Sequence, residues 1–205
     1  MGLPPWQGVL VDPRAPYLRL MILGVRTEID SVLSVVAPLG LAAAASRPVL
    51  VVDLDPTGPA YPGLRSLAEF VEDGPRRAEM SPSGSSLSGG RVAILRNGGV
   101  QAEDAIEVIE ALAAGWPNLV VRIVGESPAP WPVIPVVPLF PGILAPAAGR
   151  GAVWQATAVM DNPPGPGPVL PPLTRPARTN LLHMRLFPPN RWVSAWRPVW
   201  GLAWA

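Results

Sequence analysis

The segment 49–54, VLVVDL, constrains the fold more than any other stretch of the chain. A strand with one face in water alternates apolar and polar residues. This run is aliphatic on both faces up to Asp53, the pattern of a strand covered on both sides in a parallel sheet. Further apolar runs at 18–23, 92–96, 119–124 and 133–140 read as strands, and helical stretches fall between them. That alternation predicts an α/β fold with a doubly wound, mostly parallel sheet flanked by helices. The prolines of 133–140 confine that strand to a place where its N–H groups are not needed.

Residues 31–45 are too short, and too interrupted by Pro38 and Gly40, to span a bilayer, which needs about 20 apolar residues. They read as a kinked core helix. Residues 62–73 predict a short helix, with Leu64, Leu67, Ala68 and Val71 on one face and Gly74-Pro75 as its stop. Residues 101–114 predict another helix, with Ile106, Ile109 and Leu112 on one stripe and Glu103, Asp104, Glu107 and Glu110 on a solvated face. A final helix is expected over 147–160. The Ser-, Gly- and Pro-rich segment 75–90 reads as a surface loop. The resulting division is an N-terminal extension at 1–16, an α/β domain at 17–160, an extended proline-rich linker at 161–178 and an arm at 179–205.

Composition removes several chemistries. The chain has no cysteine, and all 16 of its basic residues are arginine, so thiol catalysis, cysteine zinc sites, lysine bases and Schiff bases are excluded. The single histidine, His183, cannot form a catalytic triad or a multi-histidine metal site. Residues 1–161 hold eleven arginines and all fifteen acids, whereas 162–205 hold five arginines and no acid. The tail is thus a basic arm on an acidic body. The amino terminus lacks the charged start and continuous apolar core of an export signal, which makes a cytoplasmic location the expectation.

The strand–loop–helix at 17–45 has the outline of a phosphate-binding loop, written G-x-x-x-x-G-K-[ST]. Gly24 holds the first glycine's place and Ser31 the Ser/Thr place, but Ile29 replaces the second glycine and Asp30 the lysine. An acid at that point repels a triphosphate. The run RPVLVVDLDPTG at 47–58 is similar to the second strand of ParA/MinD-type ATPases, the group that includes the CpaE/TadZ pilus-assembly and septum-site proteins. The order of SLSGGRVAILRNGG, a helix, and WPNLVVRIVGES also resembles that family. The resemblance, covering roughly residues 17–160, implies a P-loop NTPase-like fold in which Asp53 and Asp55 match the acids that serve metal and water. It also puts Arg122 where the family's fourth strand carries a magnesium-supporting Asp.

Arg122 sits inside an otherwise aliphatic strand, where a charge is costly unless paired. Two readings follow. Either the guanidinium fills the vacated metal and phosphate space beside Asp30, Asp53 and Asp55, or it points out of an edge strand.

Four of the eight tryptophans, Trp192, Trp196, Trp200 and Trp204, lie in the last fourteen residues with Arg191 and Arg197 among them. Spacing by four puts the rings along one helical face, but Pro198 interrupts it, leaving one short helix before the proline and a separate turn beginning near it. These residues are the candidate interaction surface, docking on the chain's own domain, on a protein partner or second copy, or on a membrane interface, as a C-terminal helix does in MinD-type relatives. Nucleic acid ranks last, because five arginines over 44 residues make a thin phosphate footprint.

The reading is a non-catalytic ParA/MinD-like pseudo-ATPase, without cofactor or metal, that serves as an interaction, scaffolding or localisation subunit. Its alternatives are an active ATPase using Gly24, Ser31, Asp53 and Asp55 with an arginine supplied in trans, and a peripheral membrane anchor.

Overall fold

The computed structural model describes residues 22–26, 31–57, 61, 65–73, 92–113, 115–116, 118–144, 152–183 and 191–203. Its centre is the aliphatic run at 49–54, which forms β2 (Val49–Asp53), buried at every position. On either side lie β3 (Val92–Leu95) and β4 (Leu119–Ile123), and β4 in turn pairs with β1 (Ile22–Arg26). Beyond β1 come β5 (Val133–Pro138), β6 (Val153–Gln155) and β7 (Val169–Leu170). All neighbours are parallel, in the order β3-β2-β4-β1-β5-β6-β7.

The period-two alternation of the strands sorts the core into two layers. Val49, Val51 and Val120 face α1 (Ser31–Ala44), while Leu50, Val52 and Val121 face α2 (Leu67–Asp73) and α3 (Ile106–Ala113). Helices therefore cover both faces, as the alternation predicted. α1 continues through Pro38 and is buried on nearly all sides. A helix so apolar around its circumference needs a second cover besides the sheet, and the C-terminal helices supply it. These are α4 (Arg175–Leu182), α5 (Arg191–Ser194) and α6 (Arg197–Ala203), whose Leu181, Trp192, Val193, Trp196 and Val199 join the α1 core.

Several boundaries differ from the sequence reading. The described part of β1 runs on to Arg26, three residues past the expected end at residue 23, and residues 18–21 lie outside the described ones. The helix expected over 62–73 starts at Leu67, where the amides of Leu67 and Ala68 bond the carbonyls of Arg96 and Asn97. The helix expected over 101–114 enters through a 3₁₀ turn at Glu103–Ala105. β5 is internal, between β1 and β6.

Two corrections are larger. No helix occupies 152–160, because Val153, Trp154 and Gln155 form β6 beside β5, and Thr157 closes a turn by accepting from the amides of Val159 and Met160. β-branched and aromatic side chains favour that pleated setting. Nor is 161–178 an extended linker. Proline lacks an N–H yet keeps its carbonyl, and Pro166 accepts from Ala152 N and from the indole of Trp154 at 3.2 Å. Pro168 accepts from Trp154 N at 2.8 Å, and Leu170 accepts from Ala156 N at 3.0 Å. The stretch thus ends the sheet as β7 and then starts α4, where Thr174 Oγ1 accepts from Ala177 N as an N-cap. The sheet and its cover therefore extend well past residue 160, the boundary expected for the domain.

Candidate functional site

Parallel pairing of β2 with β4 sets Asp53 opposite Arg122. The parity that turns Val51 and Val120 toward α1 turns Asp53 and Arg122 the same way. β4 is a central strand, so Arg122 has no route to solvent at an edge; its side chain is 1 % exposed.

Every arm of the guanidinium meets oxygen. Nη1 donates to both carboxylate oxygens of Asp53 at 3.3 Å, and Nη2 donates to Asp55 Oδ2 at 2.7 Å. Nε donates to Ser34 Oγ of α1 at 3.1 Å. The guanidinium carbon lies 5.6 Å from the centroid of the Tyr61 ring, within cation–π range, and Tyr61 Oη donates to the α1 carbonyl of Val35 at 2.8 Å. The carboxylates are held from behind as well. Asp53 Oδ1 accepts from Asp55 N, while Asp55 Oδ1 accepts from the amide and hydroxyl of Thr57. Asn97 Nδ2 reaches the Asp53 carbonyl at 3.3 Å, fixing the end of β2 to the turn after β3.

Two buried carboxylates share one buried guanidinium. Burial is the largest influence on Asp53 and pushes its carboxyl up from 3.8 to about 6, against the pull of Arg122 and the Asp55 amide. Burial likewise raises Tyr61 well above the usual tyrosine value. The phenol therefore stays neutral and serves as a lid over the cation. In this arrangement the carboxylates accept from Arg122, from the amides of Asp55 and Thr57 and from the Thr57 hydroxyl.

The sequence candidates divide as follows. Asp53, Asp55 and Arg122 come together. Ile29 and Asp30 lie outside the described residues, and Ser31 is the first residue of α1. Gly24 is corrected from a loop position to the middle of β1, paired with Val121 and Val133. A Cβ there would lie 2.5 Å from Ile123 Cδ1 and 3.1 Å from Val133 Cγ2, and its amide bonds Pro132 O at 2.8 Å. Close packing, not approach to a phosphate, explains that glycine. Among the described residues no group of three or more His, Asp or Glu could hold a metal ion. Ser34, Tyr61 and Asn97 were not singled out from the sequence, since a serine in a helix, a tyrosine in a loop and an asparagine in a turn carry no periodic signal.

Of the tail candidates, Trp192 and Trp196 are buried against α1 and pack edge to face, 5.6 Å between centroids. Trp192 Nε1 donates to Gln155 Oε1 of β6 at 2.7 Å, and Trp200 Nε1 donates to the α1 carbonyl of Leu41 at 2.6 Å. The first two rings are core residues of this chain, closed to a partner or a membrane. Arg191 and Arg197 are exposed, and Trp204 lies outside the described residues. Among the described residues no helix is long and apolar enough to cross a membrane. No family model, curated protein or solved structure matches the chain.

Proposed function

We propose that this chain is a non-catalytic, ParA/MinD-like pseudo-ATPase that works as an interaction, scaffolding or localisation subunit of a pilus, secretion or division assembly. Its place is the cytoplasm or the inner face of the membrane. One observation carries the reading: a buried arginine bonds both acids that would serve metal and water in an active relative, at the carboxyl ends of central parallel strands, where such folds bind ligands. A cation fixed there by three oxygen-bearing side chains competes directly with a magnesium ion for Asp53 and Asp55. The absence of lysine from the whole chain points the same way, because no residue can supply the loop's compact ammonium.

Isothermal titration of the full chain with ATP and with GTP, each with magnesium, is expected to give no heat of binding. Micromolar binding of either nucleotide would overturn the reading.

A further inference from the structure

The sheet separates two outer layers of opposite charge. On the α1 side, α4 to α6 expose Arg175, Arg178, Arg191 and Arg197, and residues 162–205 contain no acid. On the other side, the 3₁₀ turn and α3 expose Glu103, Asp104 and Glu107, and residues 97–121 contain no base. The two sets lie on opposite faces because the core residues beneath them alternate along the same strands. Formal net charge is only +1, so little overall repulsion keeps copies apart.

An anionic membrane or a nucleic acid would engage the arginines while the acidic face stayed unused. A basic protein would engage only the acids. A second copy uses both faces at once, and the partly exposed Leu182 and half-buried Trp200 give the arginine face apolar surface to bury. Such a contact joins two different patches, so a dimer still offers one free patch of each kind and assembly runs on past two copies, into an open chain or a ring. We propose that the chain assembles head to tail, the arginine face of α4–α6 in one copy docking on the acidic α3 face of the next.

This deepens the scaffolding role proposed above by naming the partner. The two claims fail separately, since magnesium-dependent nucleotide binding would end the pseudo-ATPase reading and leave a sedimentation result untouched.

The test is sedimentation velocity on the full chain. At low ionic strength the weight-average sedimentation coefficient should climb with concentration past the dimer value, and it should fall to the monomer value near 1 M salt, where charges are screened beyond ~3 Å. Glu103→Arg with Glu107→Arg, or Arg175→Glu with Arg178→Glu, should each weaken association by about tenfold or more. An equimolar mixture of the two reversed chains should regain it, because every contact then pairs opposite charges. Unchanged circular dichroism checks the fold, and neutral Gln at the same positions gives a milder form of the loss should a reversed chain melt early. A monomer at low salt, a plateau at dimer, or association that survives reversal of one face overturns the proposal. So does a monomer that pellets with phosphatidylglycerol vesicles or binds an oligonucleotide through the arginines, which would assign that face to an anionic partner.

Discussion

Replacing Arg122 with alanine should destabilise the protein by about 3–5 kcal/mol, the usual cost of removing one partner of a buried ion pair. The structure supplies the reasons. The substitution leaves Asp53 and Asp55 without their shared cation, takes the donor from Ser34 Oγ, and opens a cavity under Tyr61. Asp53 also limits the damage. Its carboxyl already titrates near 6 with Arg122 lowering it, so without the guanidinium it rises further and takes up a proton at neutral pH rather than remaining a bare buried ion. The lower end of the range, about 3 kcal/mol, is therefore expected at pH 7. Urea unfolding followed by circular dichroism measures it, with an unchanged slope against denaturant marking a loss of native stability alone. Arg122→Met combined with Asp53→Asn and Asp55→Asn removes all three charges and should restore much of the loss, since no uncompensated ion is then left buried. A loss below about 1 kcal/mol for Arg122→Ala would refute the argument, because that is the worth of an exposed pair.

Asp53 should also govern part of the pH dependence. Its folded value is raised, so between about 3.8 and 6 the folded state keeps a proton that the unfolded chain has released; the resulting stabilisation is complete below 3.8 and is lost as pH rises through about 6. Relative to Asp53→Asn, the wild-type chain should lose about 1.4 kcal/mol between pH 5 and pH 7, read from paired urea curves, and a flat difference would show that Asp53 titrates normally. Gly40→Ala should destabilise by about 1–2 kcal/mol in spite of alanine's better helix propensity. The added Cβ would run into the Trp192 ring and come within 2.8 Å of Trp196 Nε1. A raised melting temperature for that variant would mean that the tail does not sit on α1.

The sheet was legible where side chains recur with a period. Residues 49–53 and 119–123 are aliphatic on both faces, which only a doubly covered strand tolerates, and their carboxyl ends bring Asp53 level with Arg122. Register was harder. An aliphatic run reads the same when shifted by a few residues, so β1 could be placed at 18–23 and Gly24 given to a loop, whereas the close approach of Ile123 and Val133 fixes it inside the strand. β6 and β7 were invisible for another reason. They are three and two residues long, and two of the carbonyls that pair them, those of Pro166 and Pro168, belong to prolines, whose local signal is a break. The tryptophan spacing was plain, but a row of rings looks the same whether it faces a membrane or its own core. What decides between them is Gly40, the gap in α1 that accepts the Trp192 ring.

The cover over α1 bears on how the chain folds. Trp200 bonds Leu41 across 159 residues, and α1 keeps an apolar flank bare until α5 and α6 arrive. During synthesis the sheet strands leave the ribosome before residues 191–203 do, so a nascent chain carries an exposed greasy helix until those helices emerge. Closure is then a late, long-range step with a large loop entropy against it. A stop codon or proteolytic cut shortly before residue 191 would strand the protein in that sticky state, so the integrity of two short helices decides the fate of the whole fold.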